Sequence, residues 1–214
     1  MLNQANKRVI TAMIGIPVLL LLLYFGGWPL TIAVMALIAV GCVEYERLVQ
    51  RIGGDNLLIW RLLGFAYIML GFFSFLGLRL AAEDWMAALW LLLIIWCTDI
   101  AAYEIGRRFG KHKLAPAVSP NKTVEGALAG AAGGTLAGGV FGVLTGAGWV
   151  AALLTALLIS TLGQAGDLLE SKVKRIARVK DSGSVFPGHG GILDRFDSIL
   201  LSAPFMYLLS ILLF

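Results

Sequence analysis

The chain has 214 residues, of which 59% are hydrophobic and 14% are charged. Its mean hydropathy of +0.86 excludes an ordinary soluble globular domain and predicts an integral membrane protein. The formal net charge of +4 could indicate a nucleic-acid partner, but the basic residues lie in short segments beside apolar runs, where membrane topology explains them better. We therefore expect the lipid bilayer, and no nucleic acid, as a partner.

Apolar runs long enough to cross a bilayer alternate with short polar segments and predict seven transmembrane helices. The second run is the shortest, and the first is expected to remain as an anchor because it lacks a convincing small-residue cleavage site. We therefore expect an all-α polytopic helical bundle, in which residues 1–214 form a single transmembrane domain with two polar cytoplasmic loops. The predicted spans are Val9–Phe25, Pro29–Val43, Leu57–Leu78, Trp85–Tyr103, Gly126–Gly146, Trp149–Ala165 and Ser198–Phe214.

Lysine and arginine residues are concentrated on one side of the predicted bundle. Lys7 and Arg8 precede the first span and further clusters follow the second, fourth and sixth spans, whereas Arg79 is the lone cation expected on the opposite side. Because cytoplasmic loops retain positive charge, we expect the amino terminus inside and the carboxyl terminus outside. The expected location is a bacterial inner membrane, with the polar loops facing the cytoplasm.

Glycine recurs at every fourth residue of the fifth span. On a helix this spacing forms a groove without side chains, which allows the backbone of another helix to approach closely. We expect this helix to lie inside the bundle or at a subunit interface. The glycine ladder consists of Gly126, Gly130, Gly134, Gly138, Gly142 and Gly146.

A first polar cluster lies at the end of the fourth span. Asp99 and Tyr103 are four residues apart and share one face of the predicted helix. An aspartate at this depth is costly in lipid, so it should face a polar cavity. Contact with a ligand and a structural bond to a neighbouring helix explain it about equally well.

A second polar cluster lies in the loop that leads into the fifth span. Ser119 and the following proline open a turn, and Lys122 and Thr123 stand just before a helix whose N-terminal amides could bind phosphate oxygens. An ordinary helix start, with Ser or Thr as the cap and Glu125 in the first turn, explains the same residues slightly better. His112 is expected to be a surface residue.

A third polar cluster follows the sixth span. If that span continues as a helix, Asp167, Glu170, Ser171, Lys174 and Arg178 form one polar stripe that runs out of the membrane. Oxygen ligands from two helices fit Mg²⁺ far better than Zn²⁺. Ion pairing in a solvated loop is the weaker interpretation, because carboxylates at both flanks are costly without a function. After a glycine turn that contains His189, the second helix brings Asp194 and Asp197, three residues apart in its first turn.

The residues from Ser171 to Asp197 carry a long pattern that includes Lys180-Asp-Ser-Gly183 and Pro187-Gly-His-Gly-Gly191. This pattern resembles the signature of the phosphatidate cytidylyltransferases, also called CDP-diacylglycerol synthases. Two further blocks are similar to that family, and residues 96–214 carry all of its motifs. The resemblance implies transfer of a cytidylyl group from CTP to phosphatidic acid, with Mg²⁺ required. It is also compatible with a homodimer, for which the glycine ladder is one candidate contact. The further blocks are Asp99-Ile-Ala-Ala-Tyr103 and residues 110–126, which contain Ser119-Pro-Asn-Lys-Thr-Val-Glu-Gly126.

Roles for the polar residues follow from this resemblance as a hypothesis. Asp167 and Asp194 would hold the metal, with Asp197 and Glu170 as further ligands or supports. Asp181 would be a partner of the metal site or would order the loop through an ion pair, and His189 would order the loop or contact a phosphate. The residues assigned to the lipid phosphate or the departing pyrophosphate are Lys174, Arg175, Lys180 and Arg195. Ser119, Lys122 and Thr123 would contact the nucleotide phosphates. The other residues assigned to substrate binding are Asp99, Tyr103, Glu125 and Ser171.

Two other functions fit parts of the pattern. A CTP-dependent polyprenol or lipid kinase would use similar carboxylates and basic loops, but it would transfer the γ-phosphoryl group; the full signature favours cytidylyl transfer. A membrane transporter would explain acids inside the membrane, yet the sequence contains no visible pair of similar broken helices or inverted repeat.

Overall fold

The computed structural model describes residues 4–80, 85–185 and 190–213. Within these residues the chain forms seven helices and one short antiparallel hairpin, and six of the helices are long and apolar enough to cross a membrane. These helices confirm the predicted all-α polytopic fold. The apolar part of the first helix, Met13–Phe25, is shorter than the other six apolar helices. The elements are α1 Gln4–Phe25, α2 Gly27–Ile52, α3 Leu57–Leu80, α4 Met86–Phe109, β1 Lys113–Ala115, β2 Ser119–Thr123, α5 Val124–Leu144, α6 Trp149–Ile176 and α7 Leu193–Leu213.

Several helices extend beyond the apolar runs that predict them. The second span was expected to end at Val43, but α2 continues to Ile52; α6 continues past Ala165 to Ile176, and α7 begins before Ser198. Hydropathy marks only the apolar part of a helix, whereas hydrogen bonding continues wherever polar side chains find partners inside the bundle. The polar residues at these helix ends are therefore held on rigid helices instead of loops.

The loop before α5 contains structure that the sequence did not predict. Strands β1 and β2 pair in antiparallel fashion, with Lys113 opposite Thr123 and Ala115 opposite Ser119. The paired strands hold the residues that precede α5 in a defined register.

The glycine ladder packs α5 between α4 and α6 of the same chain. A Cβ at Gly134 would collide with the hydroxyls of Thr98 and Ser160, and a Cβ at Gly138 would collide with Ile94 and Ala156. The hydroxyl oxygens of Thr98 and Ser160 lie 2.7 Å apart across this contact. The glycine ladder therefore packs α5 against two other helices of the same chain. Helix α5 lies inside the bundle, as one of the two expectations had it.

The ladder ends earlier than its sequence spacing predicts. Helix α5 ends at Leu144, and Gly146 lies beyond it with φ +99° and open space where a Cβ would stand. The other face of α5 exposes Leu128 and Leu136, each about two-thirds accessible, as expected for side chains that face lipid. A homodimer remains a prediction. The buried glycines of the ladder already pack against α4 and α6 of the same chain.

Contacts between helix ends show which ends lie together in the bundle. Near the end of α3, Arg79 donates from Nε to the carbonyl of Leu23 in α1 at 2.7 Å. Near the end of α6, Arg175 donates from Nε to the carbonyl of Val118 in the hairpin at 3.0 Å. The hairpin and the end of α6 therefore share one end of the bundle. At the other end, Arg79, the lone cation expected on that side of the membrane, caps the last turn of α1.

Candidate active site

A polar cavity of about 330 Å³ lies between α4, α6, α7 and the segment that precedes α7. Five aspartates but only one lysine and one arginine line it, so the cavity has an excess of negative charge. The aspartates that the sequence predicts on the fourth, sixth and last spans are brought together here. The lining residues are Asp99, Asp167, Lys174, Asp181, Asp194, Arg195, Asp197 and Ser198.

Gly166 allows α6 and α7 to approach closely at this cavity. A Cβ at this position would lie only 2.5 Å from the carbonyl oxygen of Asp197 and 3.1 Å from the Cβ of Leu201. The absence of a side chain lets the two backbones approach. Since Asp167 follows this glycine, the close contact brings carboxylates from both helices to one lining.

Asp167 connects α6 to the hairpin. Its Oδ2 atom lies 2.5 Å from Nζ of Lys122 in β2, and its Oδ1 atom accepts a bond from the hydroxyl of Ser171 at 3.3 Å. One turn further along α6, Arg175 donates to carbonyls of Val118 and Val179. The guanidinium that was predicted to bind phosphate therefore also fixes the hairpin against α6.

Asp194 is the most heavily bonded carboxylate of the cavity. Its Oδ1 atom lies 2.6 Å from Nζ of Lys174. Its Oδ2 atom accepts bonds from the amide and hydroxyl of Ser182, at 2.8 and 2.9 Å, and from the amide of Gly191 at 2.8 Å. Lys174 also pairs with Glu170 one turn away. The three charged side chains form a largely buried Glu-Lys-Asp cluster in which one lysine lies between two carboxylates.

The predicted polar stripe on α6 exists, but it is shorter than expected. Helix α6 ends at Ile176, and Arg178 adopts a left-handed backbone conformation with φ +57°. The expectation that Arg178 continues the stripe is wrong, because the chain leaves the helix at Ala177 before that position. The residues that do lie on α6 are Asp167, Glu170, Ser171 and Lys174.

Polar residues at the start of α5 are largely committed to local structure. The hydroxyl of Thr123 accepts a bond from the amide of Gly126 at 3.2 Å, which caps the helix. The carboxylate of Glu125 accepts bonds from the amides of Lys111 and His112 and lies 2.6 Å from the His112 ring nitrogen Nδ1. The geometry supports the ordinary helix start for these two residues, and it leaves Lys122 as the residue that reaches the cavity carboxylates.

Three other predicted residues, Tyr103, Ser119 and Lys180, are not among those that line the cavity. Tyr103 is 63% exposed and has the guanidinium of Arg107 5.6 Å above its ring, so it lies outside the lining that Asp99 joins. Ser119 begins β2 and Lys180 is exposed after α6. His189 lies outside the described residues. The roles assigned to these side chains stay predictions.

Glu44 is a buried carboxylate near the cavity that sequence reasoning missed. It lies on α2 and is only 1% exposed. Its oxygens accept bonds from the amides of Ile192 and Leu193 and from the hydroxyl of Ser182, each at 3.1 Å. It directly follows the apolar run that ends at Val43, and nothing in one sequence pointed to partners far along the chain.

The donor chemistry of the cavity fits a hard cation. The lining offers carboxylate and hydroxyl oxygens and no cysteine, which suits Mg²⁺ better than a softer metal. Among the residues that the structure describes, no group of three or more His, Cys, Asp or Glu side chains is already arranged around one point as a metal site. Two of the lining carboxylates pair with lysines instead, Asp167 with Lys122 and Asp194 with Lys174.

Comparisons with known proteins place these residues in a family. Residues 54–213 match the profile of the cytidylyltransferase family. The chain belongs to the cytidylyltransferase family. It is 37% identical over 207 residues to the phosphatidate cytidylyltransferase of Staphylococcus saprophyticus, covering 94% of this chain and 78% of that protein. It is also 37% identical over 203 residues to the phosphatidate cytidylyltransferase of Staphylococcus aureus strain COL, covering 92% of this chain and 77% of that protein.

A third relative covers a shorter part of the chain. The phosphatidate cytidylyltransferase of Staphylococcus epidermidis is 42% identical over 153 residues, which is 70% of this chain and 58% of that protein. Every cavity-lining residue lies within the part that matches the cytidylyltransferase profile, whereas Glu44 lies before it. The resemblance that the motifs indicated is confirmed, and α2 adds a contact to the site from outside the matched part.

Proposed function

We propose that this member of the cytidylyltransferase family transfers the cytidylyl group of CTP to phosphatidic acid and releases pyrophosphate. The observation that carries the proposal is the carboxylate-lined cavity, which joins α4, α6 and α7 at the end of the bundle that also bears the basic hairpin. A site of this kind combines charges for two anionic substrates with direct access from the bilayer. The relatives named above carry the same activity in their names.

The bond changes need little covalent help from the protein. A phosphate oxygen of phosphatidic acid attacks the α-phosphorus of CTP, a new P–O bond forms, and the bond to the bridging α–β oxygen breaks. Pyrophosphate leaves with the electron pair. A phosphomonoester has a second pKa of about 6, so the nucleophile is largely dianionic near neutral pH and needs no strong general base. The protein must therefore align the two phosphates and offset their charge.

The carboxylates of the cavity would hold Mg²⁺. We assign Asp167 and Asp194 as ligands, with Asp197 and Glu170 as further ligands or supports, because they are oxygen donors from two adjoining helices. When bound, the ion would neutralise phosphate oxygens as charge develops during transfer. Asp181 also faces the cavity and is assigned as a partner of this site.

Lysines of the site can exchange partners when substrates enter. Lys122 holds Asp167, and Lys174 holds both Asp194 and Glu170. Substrate phosphates offer the same lysines an alternative anion, and that exchange would free the carboxylate oxygens as cation ligands. Arg195 lines the cavity and would bind a phosphate or the departing pyrophosphate.

The bilayer would deliver the lipid substrate to this cavity. Leu128 and Leu136 on α5 and Ile100 on α4 are exposed apolar side chains, so the helices around the site present a lipid-facing wall. We propose that the hairpin end faces the cytoplasm of a bacterial inner membrane, because the basic residues gather there. Phosphatidic acid would then enter from the membrane and CTP from the water.

Label transfer tests the proposed reaction against the kinase alternative. Detergent-purified protein would be incubated with phosphatidic acid, Mg²⁺ and CTP that is labelled in either the α- or the γ-phosphate. Cytidylyl transfer predicts α-label in a nucleotide-bearing lipid, with the γ-label in pyrophosphate. A lipid that carries the γ-label would instead identify a kinase, and movement of substrate across liposomes without lipid conversion would identify a transporter.

A further inference from the structure

Glu44 is a buried anion that the proposed reaction does not yet use. Its side chain lies on α2 at 1% exposure, within a largely apolar buried face that continues past it to Leu48 and Val49. A carboxylate in such a place is stable only if donors satisfy its oxygens. The donors here are the amides of Ile192 and Leu193 at the start of α7 and the hydroxyl of Ser182, whose single proton is shared with Asp194.

The backbone around Glu44 is shaped to hold the carboxylate. The amides of Ile192 and Leu193, at the start of α7, each donate to it at 3.1 Å; amides at a helix start lack partners within the helix and favour a negative charge. A Cβ at Gly183 or Gly191 would collide with the carboxylate of Glu44. The two glycines therefore let the chain wrap closely around this side chain.

Ser182 connects Glu44 to Asp194. Its hydroxyl lies 3.1 Å from Oε2 of Glu44 and 2.9 Å from Oδ2 of Asp194. The amide of Gly191, next to the residues that Glu44 binds, donates to the same Oδ2 at 2.8 Å. The donors that fix one oxygen of Asp194 thus belong to the backbone that Glu44 holds in place. With Oδ2 fixed, Oδ1 is directed at Lys174 at 2.6 Å, in the cavity.

We infer that Glu44 is a positioning residue for the transfer reaction: it anchors the start of α7 and Ser182 so that Asp194 presents its other oxygen, Oδ1, to the cavity. The inference rests on the proposed function for its kinetic consequence. It assigns a role to α2, which lies before the part of the chain that matches the family profile.

The substitution Glu44→Gln tests this role with little change in size. An amide can accept at one end only, and its NH₂ group would face a backbone donor, so the start of α7 should shift. We expect kcat to fall about 10- to 100-fold, with the KM for CTP within about threefold of wild type, because a positioning defect acts on the reacting geometry. We also expect the Mg²⁺ concentration for half-maximal activity to rise several-fold.

Hydrogen exchange gives a readout that does not depend on activity. The amides of Ile192 and Leu193 should exchange faster in Glu44→Gln than in wild type, because they lose an anionic acceptor. The matched control is Glu46→Gln, the same chemical change two residues further along α2, where the carboxylate pairs with Arg61 near the surface. That control should keep wild-type exchange at both amides and kcat within about twofold.

A second variant tests the same role in case Glu44→Gln folds poorly. Ser182→Ala removes the hydroxyl between the two carboxylates and should lower kcat by about 3- to 10-fold. In the double variant, the combined loss should be smaller than the product of the two single losses, since both act through one contact.

The inference is overturned if folded Glu44→Gln, or Ser182→Ala where the former does not fold, keeps the kcat, Mg²⁺ titration and amide exchange of wild type. Lower thermal stability with unchanged kinetics in the folded fraction would make Glu44 purely structural and would also overturn it. Failure of the proposed function looks different, because wild-type protein would then form no nucleotide-bearing lipid, while amide exchange would still report on the Glu44 contact.

Discussion

The start of α5 and the facing ends of α6 and α7 are both rich in polar residues, but they use them differently. At the start of α5, Thr123 bonds to the first turn of that helix, and Glu125 bonds to His112 in the segment just before β1. Between α6 and α7, Asp167 pairs with Lys122 of β2 and Asp194 pairs with Lys174 of α6, and both aspartates line a cavity. Polar side chains with local partners stabilise an element, whereas those that join separate elements around a cavity can exchange partners with a ligand.

The largest expected effect concerns the α6 and α7 carboxylates. Asp167→Asn and Asp194→Asn should each lower cytidylyl transfer by more than about 100-fold, because even residues that only support a metal ligand typically cost 10- to 100-fold. The assay measures pyrophosphate release by purified protein at saturating Mg²⁺. Near-normal turnover by either folded variant would remove the metal role assigned to that residue.

Lys122 tests the boundary between the two regions, because it lies in β2 but pairs with Asp167. Lys122→Met should lower kcat/KM for CTP by about 10- to 100-fold, since it loses a charge-assisted contact to phosphate. The matched control Lys113→Met removes an exposed lysine from β1 and should stay within about threefold of wild type. Equal effects of the two substitutions would indicate that only overall charge matters.

Thr123 should show the smallest kinetic effect, because its hydroxyl is committed to the helix cap. Thr123→Ala should cost about 1 kcal/mol of stability, measured as a lower thermal midpoint in detergent. Turnover per folded molecule should stay within about threefold of wild type, and Thr123→Ser should restore the thermal midpoint. A large loss of kcat/KM for CTP without loss of stability would instead assign this hydroxyl to the nucleotide.

Periodicity and hydropathy predict much of the fold, because they depend on local patterns. Apolar runs locate the helices, and the four-residue glycine spacing indicates close packing, which the structure shows against α4 and α6. The true helix ends were less predictable. Glu44 and Lys174 are charged residues on helices that continue beyond their apolar runs, and hydropathy cannot tell such residues from those of a loop.

The cavity could be predicted only in part. Spacing along a helix indicates which acids share a face. Asp194 and Asp197 on α7 could therefore be predicted to face the same cavity as the polar stripe on α6. The bonds of Glu44 to residues about 140 positions later depend on how α2 packs in three dimensions, and no local pattern records that. The left-handed turn at Arg178, which shortens the stripe, likewise depends on where the chain leaves α6.

Binding of Mn²⁺ in place of Mg²⁺, followed by electron paramagnetic resonance, tests most directly whether acids from α6 and α7 hold one divalent ion. Wild-type protein with CTP should bind Mn²⁺ specifically, and both Asp167→Asn and Asp194→Asn should lose that binding. Asp55→Asn, in the exposed turn after α2, should retain it. Wild-type Mn²⁺ affinity in either of the first two variants would contradict a shared ion between the two helices.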